Sequence, residues 1–288
     1  MGLLKKIFIG LVSMLLITDL CLIVFINTIN ETLFNPEFIE MELDRLGFYS
    51  MIRGKIIGSI EDQEVADVID RAIPEGWIKE QTQTLLKNTF GYLRSETDTI
   101  DMKISLVEIK DEILAQESLP PLIENELDNR FPDNIDLFDL LKLGEIGILE
   151  QLRMFFSYFK IFLYLLVFIA IILILLIILL LRNLKSIFLV ISISSLLSGG
   201  ISYGIYILSV GLISAQIQSL ESEFLPTDFL LILLEDILFP IKNYGVLLLI
   251  AGGLLLIIYL ILRILEEGRE TKGEEETEQL LREEIEGD

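Results

Sequence analysis

Residues 161–181, IFLYLLVFIAIILILLIILLL, contain no charged or strongly polar side chain. Wound as a helix at about 1.5 Å per residue, this run covers about 30 Å, the hydrocarbon thickness of a bilayer. Lipid offers no hydrogen bonds to backbone N–H and C=O groups, so a single segment crosses it only as a helix. Everything before and after must then be given a side. A hydrophobic content of 52% and a mean hydropathy of +0.61 point the same way, to a membrane-embedded chain.

Three more spans are expected. Lys5 and Lys6 precede an apolar run over residues 7–26, interrupted by Ser13, Thr18, Asp19 and Cys21. A cleaved signal peptide has an apolar core of about 7–15 residues and ends at a small-x-small site. Here the apolar character resumes after Asp19 and no such site follows, so the run reads as a retained first transmembrane helix. Residues 158–181 are the second, 187–213 the third and 243–263 the fourth. The third is punctuated by Ser192, Ser194, Ser195, Ser198, Gly199, Gly200, Ser202 and Gly204. Small residues let helices approach closely, and Gly200–Gly204 matches GxxxG. Gly199, Gly200 and Gly204, with Gly252 and Gly253 of the fourth span, are therefore expected to pack helices together. The third span should be packed inside and the second should face mostly lipid.

Between the first two spans, residues 27–155 have the composition of a water-facing helical domain. Within 27–153 there are 27 acidic and 12 basic side chains, a net charge of −15. After Asn35-Pro36, apolar residues recur at helical steps through Phe38, Met41, Leu46 and Tyr49, as proline in a first turn allows. After Pro74, Trp77, Ile78, Gln81, Leu85, Thr89, Tyr92 and Leu93 mark one face of the longest amphipathic helix. Ser105 to Glu108 is a capping-box pattern ahead of a short helix that ends near Glu117. A further short helix is expected over residues 122–129, a loop at 131–134, and no strand except a short one at 102–105. Residues 214–242 mix acidic and apolar side chains; a helix capped by Thr227 or Asp228 and stopped by Pro240 should lie at the interface. The tail, residues 264–288, holds 11 acidic and 3 basic side chains, a composition expected of a disordered or transiently helical segment.

Four spans alternate sides. Lys5, Lys6, Arg182, Lys185, Arg263, Arg269 and Lys272 fall on one side, and Arg153, Lys160 and Lys242 on the other. Lysine and arginine in short loops mark the cytoplasmic face, so both termini are expected in the cytoplasm and the acidic domain outside the cell membrane. The expected fold is an all-α integral membrane protein: four transmembrane helices, with a helical extracytoplasmic domain inserted between the first and second.

Charge and composition narrow the chemistry. A net charge of −22 opposes binding of nucleic acid or anionic headgroups, which need clustered lysine and arginine. Histidine is absent, removing the commonest general base and metal ligand. No paired nucleophile and base, metal-ligand set, phosphate-cradling loop or dinucleotide fingerprint is present, so the chain is expected to be no enzyme and to need no cofactor. Asp128, Asp133, Asp136 and Asp139 are oxygen donors of the kind calcium takes, but their irregular spacing matches a solvated face better. Trp77, Phe90 and Tyr92 offer an aromatic surface, yet their spacing suits a core.

Asp19 is the sharpest single feature, because a charged acid inside a span costs about 2.5–3.5 kcal/mol on insertion scales. Apart from Lys160 and Arg263 at the span ends, no lysine, arginine or histidine lies within any span, so its expected partners are hydroxyls such as Ser195, Ser198 and Ser202, backbone carbonyls or water. Read functionally, Asp19 and these serines form a proton or cation site; read plainly, Asp19 is a neutral group hydrogen-bonded to the next helix. The favoured function is non-catalytic: the external domain binds a protein partner or senses the exterior, and the spans are a scaffold in the lipid bilayer and a surface for homo-oligomer contact. The alternative is a small channel or transporter subunit built on Asp19 and the Ser/Gly-rich face.

Overall fold

In a computed structural model, the described residues are 3–58, 67, 70–71, 73–114, 133–136, 146–218 and 226–286. The fold is predominantly α-helical, and four helices are long and apolar enough to cross a membrane: Leu3–Glu31, Glu150–Leu181, Leu184–Ile217 and Thr227–Glu267. The chain forms two compact units, Met1–Thr28 with Phe162–Asp288, and Ile29–Ile161. In chain order the elements are α1 (Leu3–Glu31), α2 (Pro36–Arg45), α3 (Phe48–Gly58), α4 (Glu75–Leu93), β1 (Lys103–Ser105), α5 (Val107–Leu114), β2 (Asn134–Asp136), α6 (Ile146–Leu181), α7 (Leu184–Gln218) and α8 (Thr227–Glu286).

In the unit that holds the spans, the i, i+4 pair Val12 and Leu16 of α1 is buried with Ala170, Leu173 and Ile177 of α6. Farther along α1, Val24 is buried with Tyr206 of α7 and Ile241 of α8. The link from α6 to α7 is as tight as its sequence demands. Arg182 takes a left-handed φ of 51°, and the Asn183 side chain accepts from Lys185 N at 3.0 Å, capping α7. Of the apolar windows, that of α7 is 33% buried and that of α6 22%, in line with a packed third span and a second one turned mostly outward.

One expectation fails in α8. Pro240 does not stop the helix but lies inside it. Proline removes one N–H, and apolar helices tolerate the loss where neighbouring groups or small local adjustments satisfy the freed carbonyl. The stretch from Thr227 and the fourth span are therefore one helix. The tail, expected to be disordered or transiently helical, continues that helix to Glu286. Its glutamate, lysine, arginine, glutamine and leucine are strong helix formers, and Arg263 donates to Glu267 one turn on at 2.9 Å.

In the other unit, Asn35 caps α2, its side chain accepting from Glu37 N at 3.1 Å with Pro36 in the first turn. Gly47, at φ 65°, ends α2 and lets α3 begin at once. Arg53 donates to the carbonyls of Ile73 at 2.8 Å and Asp70 at 2.7 Å, tying the approach to α4 onto α3. Helices α2, α3 and α4 pack on one another and β1 lies against α4. Tyr49, Ile78, Phe90, Tyr92, Leu93 and Ile109 are buried. The strand expected at 102–105 is present, pairing antiparallel with β2 through Ile104 and Ile135. The expected loop at 131–134 is thus corrected at its end, since Asn134 begins a strand; Leu106 N donates to Asp133 O at 2.8 Å beside it. The helix expected after the capping-box pattern is present over Val107–Leu114; its expected end near Glu117 and the helix expected at 122–129 lie outside the described residues.

Candidate functional site

Within the helical unit a cavity of about 500 Å³ is lined by Glu31, Phe34, Arg94, Glu96, Phe156 and Lys160, among others. Its floor is aromatic. Phe34, in the turn after α1, stacks on Phe156 of α6 with ring centroids 3.6 Å apart, and meets Phe159 edge-on at 4.6 Å. Such pairs add about 0.5–1.5 kcal/mol beyond the area they bury. Phe159 is buried, whereas Lys160, Arg94 and Glu96 are exposed at the rim.

The rim is held by the turn that ends α4. Ser95 adopts φ 60°, with Ser95 N donating to Tyr92 O and Glu96 N to Gly91 O, both at 2.9 Å, which satisfies the last carbonyls of the helix. Arg153 of α6 clamps this turn. Its guanidinium donates to Ser95 Oγ and to Asp98 Oδ1, each at 3.1 Å, and lies 4.8 Å from the Tyr92 ring centre. Arg94 donates to Phe34 O at 3.2 Å, using one of the five N–H donors of its fork. Two cations, two carboxylates and a ring floor therefore converge on one concave surface.

The residues singled out from the sequence inside the spans fall into two sets. Ser198 Oγ donates to Ser194 O at 2.8 Å and lies 3.1 Å from Ile17 O of α1, while Cys21 Sγ lies 3.7 Å from Ser198 O. Ser195 and Ser202 are also buried. Asp19 is 5% exposed and its Oδ2 is enclosed without a hydrogen-bond partner among the described residues, as are the hydroxyls of Ser194 and Ser202. At 100° per residue, Asp19 falls about 160–200° around the helix from Ile17 and Cys21, and shares instead the stripe of Val12 and Leu16. The helix face that meets Ser198 is therefore not the face that carries Asp19.

Among the glycines, Gly199, Gly245 and Gly252 make the close approach between α7 and α8. A Cβ on Gly199 would stand 2.7 Å from Gly245 O, and one on Gly252 2.8 Å from Leu196 Cγ. Ser192 Oγ donates to Gly252 O at 2.7 Å in the same seam. Gly200, Gly204 and Gly253 have no atom within 4 Å of such a Cβ. Asp133 pairs with Lys110 at 3.3 Å; Asp128 and Asp139 lie outside the described residues, within which no group of three or more metal-ligating side chains gathers. Phe90 and Tyr92 are core residues and Trp77 is half-buried.

The cavity was not marked from the sequence. A signal was present: Phe155, Phe156 and Phe159 stand just ahead of the 161–181 run, where aromatic residues collect at membrane interfaces. Comparison with protein-family models, with curated proteins and with solved structures finds no match.

Proposed function

We propose that this is a non-catalytic multi-pass protein of the cell membrane with both termini cytoplasmic. Its helical unit stands on the extracytoplasmic side and binds a ligand or partner there, and the spans are its scaffold. The observation that carries this reading is the open concavity of the helical unit, about 500 Å³ with a ring floor and a polar, charged rim, a volume within the range of small-ligand sites. The lysine and arginine bias supports the orientation.

A topology experiment tests it. With Cys21 replaced by serine, Thr99→Cys, at an exposed position, reacts with a membrane-impermeant maleimide in intact cells. Leu184→Cys, at the start of α7 and 66% exposed, reacts only after permeabilisation. The reverse pattern refutes the proposal.

The channel or transporter reading retains one observation in its favour, the enclosed Oδ2 of Asp19, which has no hydrogen-bond partner among the described residues. Against it, Ser192 and Ser198 spend their hydroxyls on backbone carbonyls, as packing residues do. Purified protein in liposomes is accordingly expected to give no proton or potassium flux above empty vesicles, and flux abolished by Asp19→Asn would reverse the ranking.

A further inference from the structure

The cavity's lining says more than that something binds. Its charges are balanced, Arg94 and Lys160 against Glu31 and Glu96, over the stacked rings of Phe34 and Phe156. Its depth is set by the two helices that supply it. Asn30 and Glu31 close α1, four and five residues beyond Ile26, which at 1.5 Å per residue is about 6–8 Å past the apolar run. A headgroup layer is about 5–8 Å thick on each side of the hydrocarbon. Lys160 immediately precedes the apolar run of α6. Residues from both helices thus line the cavity at headgroup level.

We propose that this cavity holds the headgroup of a zwitterionic phospholipid from the surrounding bilayer, its phosphate at Arg94 and Lys160 and its ammonium at Glu31 and Glu96. The inference rests on the reading of the helical unit as a binding module and names its ligand. Arginine and lysine supply charge-assisted donors to phosphate oxygens, and the ring floor accepts the glycerol and first methylenes. Free phosphate is disfavoured by the two carboxylates of the lining and by the acidity of residues 27–153, with 27 acidic against 12 basic side chains. A lipid arrives net neutral and tethered in the membrane plane, at high effective concentration.

The test uses full-length protein in nanodiscs of equal phosphatidylethanolamine and phosphatidylglycerol, with retained lipid read by native mass spectrometry after release. The wild-type chain should keep phosphatidylethanolamine over phosphatidylglycerol by about fivefold. The pair Arg94→Gln and Lys160→Gln should lower retention about tenfold, as loss of charge-assisted hydrogen bonds does, whereas Arg94→Lys with Lys160→Arg preserves it. Glu31→Gln with Glu96→Gln should keep a lipid but shift the preference toward phosphatidylglycerol. Millimolar inorganic phosphate or phosphoethanolamine should displace nothing. Equal retention by the glutamine pair, or no headgroup preference in the wild type, overturns the proposal. Displacement by inorganic phosphate alone overturns the lipid source and assigns the cavity to free phosphate. Retention does not depend on which side the unit occupies, so a failure here with Thr99→Cys labelled from outside leaves the functional reading intact. Protection of Thr99→Cys with retention unchanged removes the orientation alone.

Discussion

Gly199→Ala is expected to destabilise the α7–α8 hairpin by about 1–3 kcal/mol, the usual cost of overpacking, while Gly200→Ala, one residue on, is neutral or stabilising by up to ~1 kcal/mol through helix propensity. The sign differs because the added methyl meets different surroundings. At Gly199 it would lie 2.7 Å from Gly245 O and 2.8 Å from Leu249 N, both backbone atoms that move only if the helices part. At Gly200 and Gly204 nothing stands within 4 Å. Gly252→Ala should behave like Gly199→Ala, with Leu196 N at 2.9 Å. Steric-trap unfolding in bicelles, run on Gly199→Ala, Gly200→Ala, Gly204→Ala and Gly252→Ala, measures this. A larger loss at Gly200 or Gly204 than at Gly199 would show that the GxxxG pair makes the contact instead.

Asp19→Leu is expected to stabilise the protein by about 2–4 kcal/mol, the difference between an aspartate and a leucine deep in a span on insertion scales. Asp19 lies on the α1 stripe of Val12 and Leu16, which are buried with Ala170, Leu173 and Ile177, and its Oδ2 is enclosed without a partner among the described residues. An apolar side chain of similar length suits that seam better. The same unfolding measurement on Asp19→Leu and Asp19→Asn checks this. If the leucine variant is less stable than wild type, the carboxyl is holding something the seam needs, and the intramembrane site gains the support it lacks.

What the sequence disclosed and what it hid have separate physical causes. Each of the four spans has an apolar run long enough to decide the matter from composition, and the Asn35-Pro36 and post-Pro74 starts were legible because capping and first-turn proline are local effects. Nonlocal partners were not legible. Strand β2 has only the three residues Asn134–Asp136 and exists because β1 offers an edge, so no local pattern marks it. Pro240 reads as a stop in water, and α8 runs through it. Gly199 rather than Gly200–Gly204 makes the contact because the rotation of α7 about its own axis is set by α8, which a motif within α7 cannot report. The cavity needed Phe34 and Phe156, far apart in sequence, to be stacked before Arg94 and Lys160 could be seen to share a rim.

The bond between Ser198 Oγ and Ile17 O spans 181 residues, and that separation sets an order of events during synthesis. The α6, α7 and α8 hairpins join neighbours and can close as they emerge, whereas α1 must wait first for α6 and then for α7. At translation rates of about 5–20 residues per second, about 10–35 seconds pass between the synthesis of Ile17 and that of Ser198, and the docking surface of the first helix is incomplete until then. Assembly of this bundle is therefore timed by the ribosome, and α1 is the piece most exposed to capture by other proteins in the meantime.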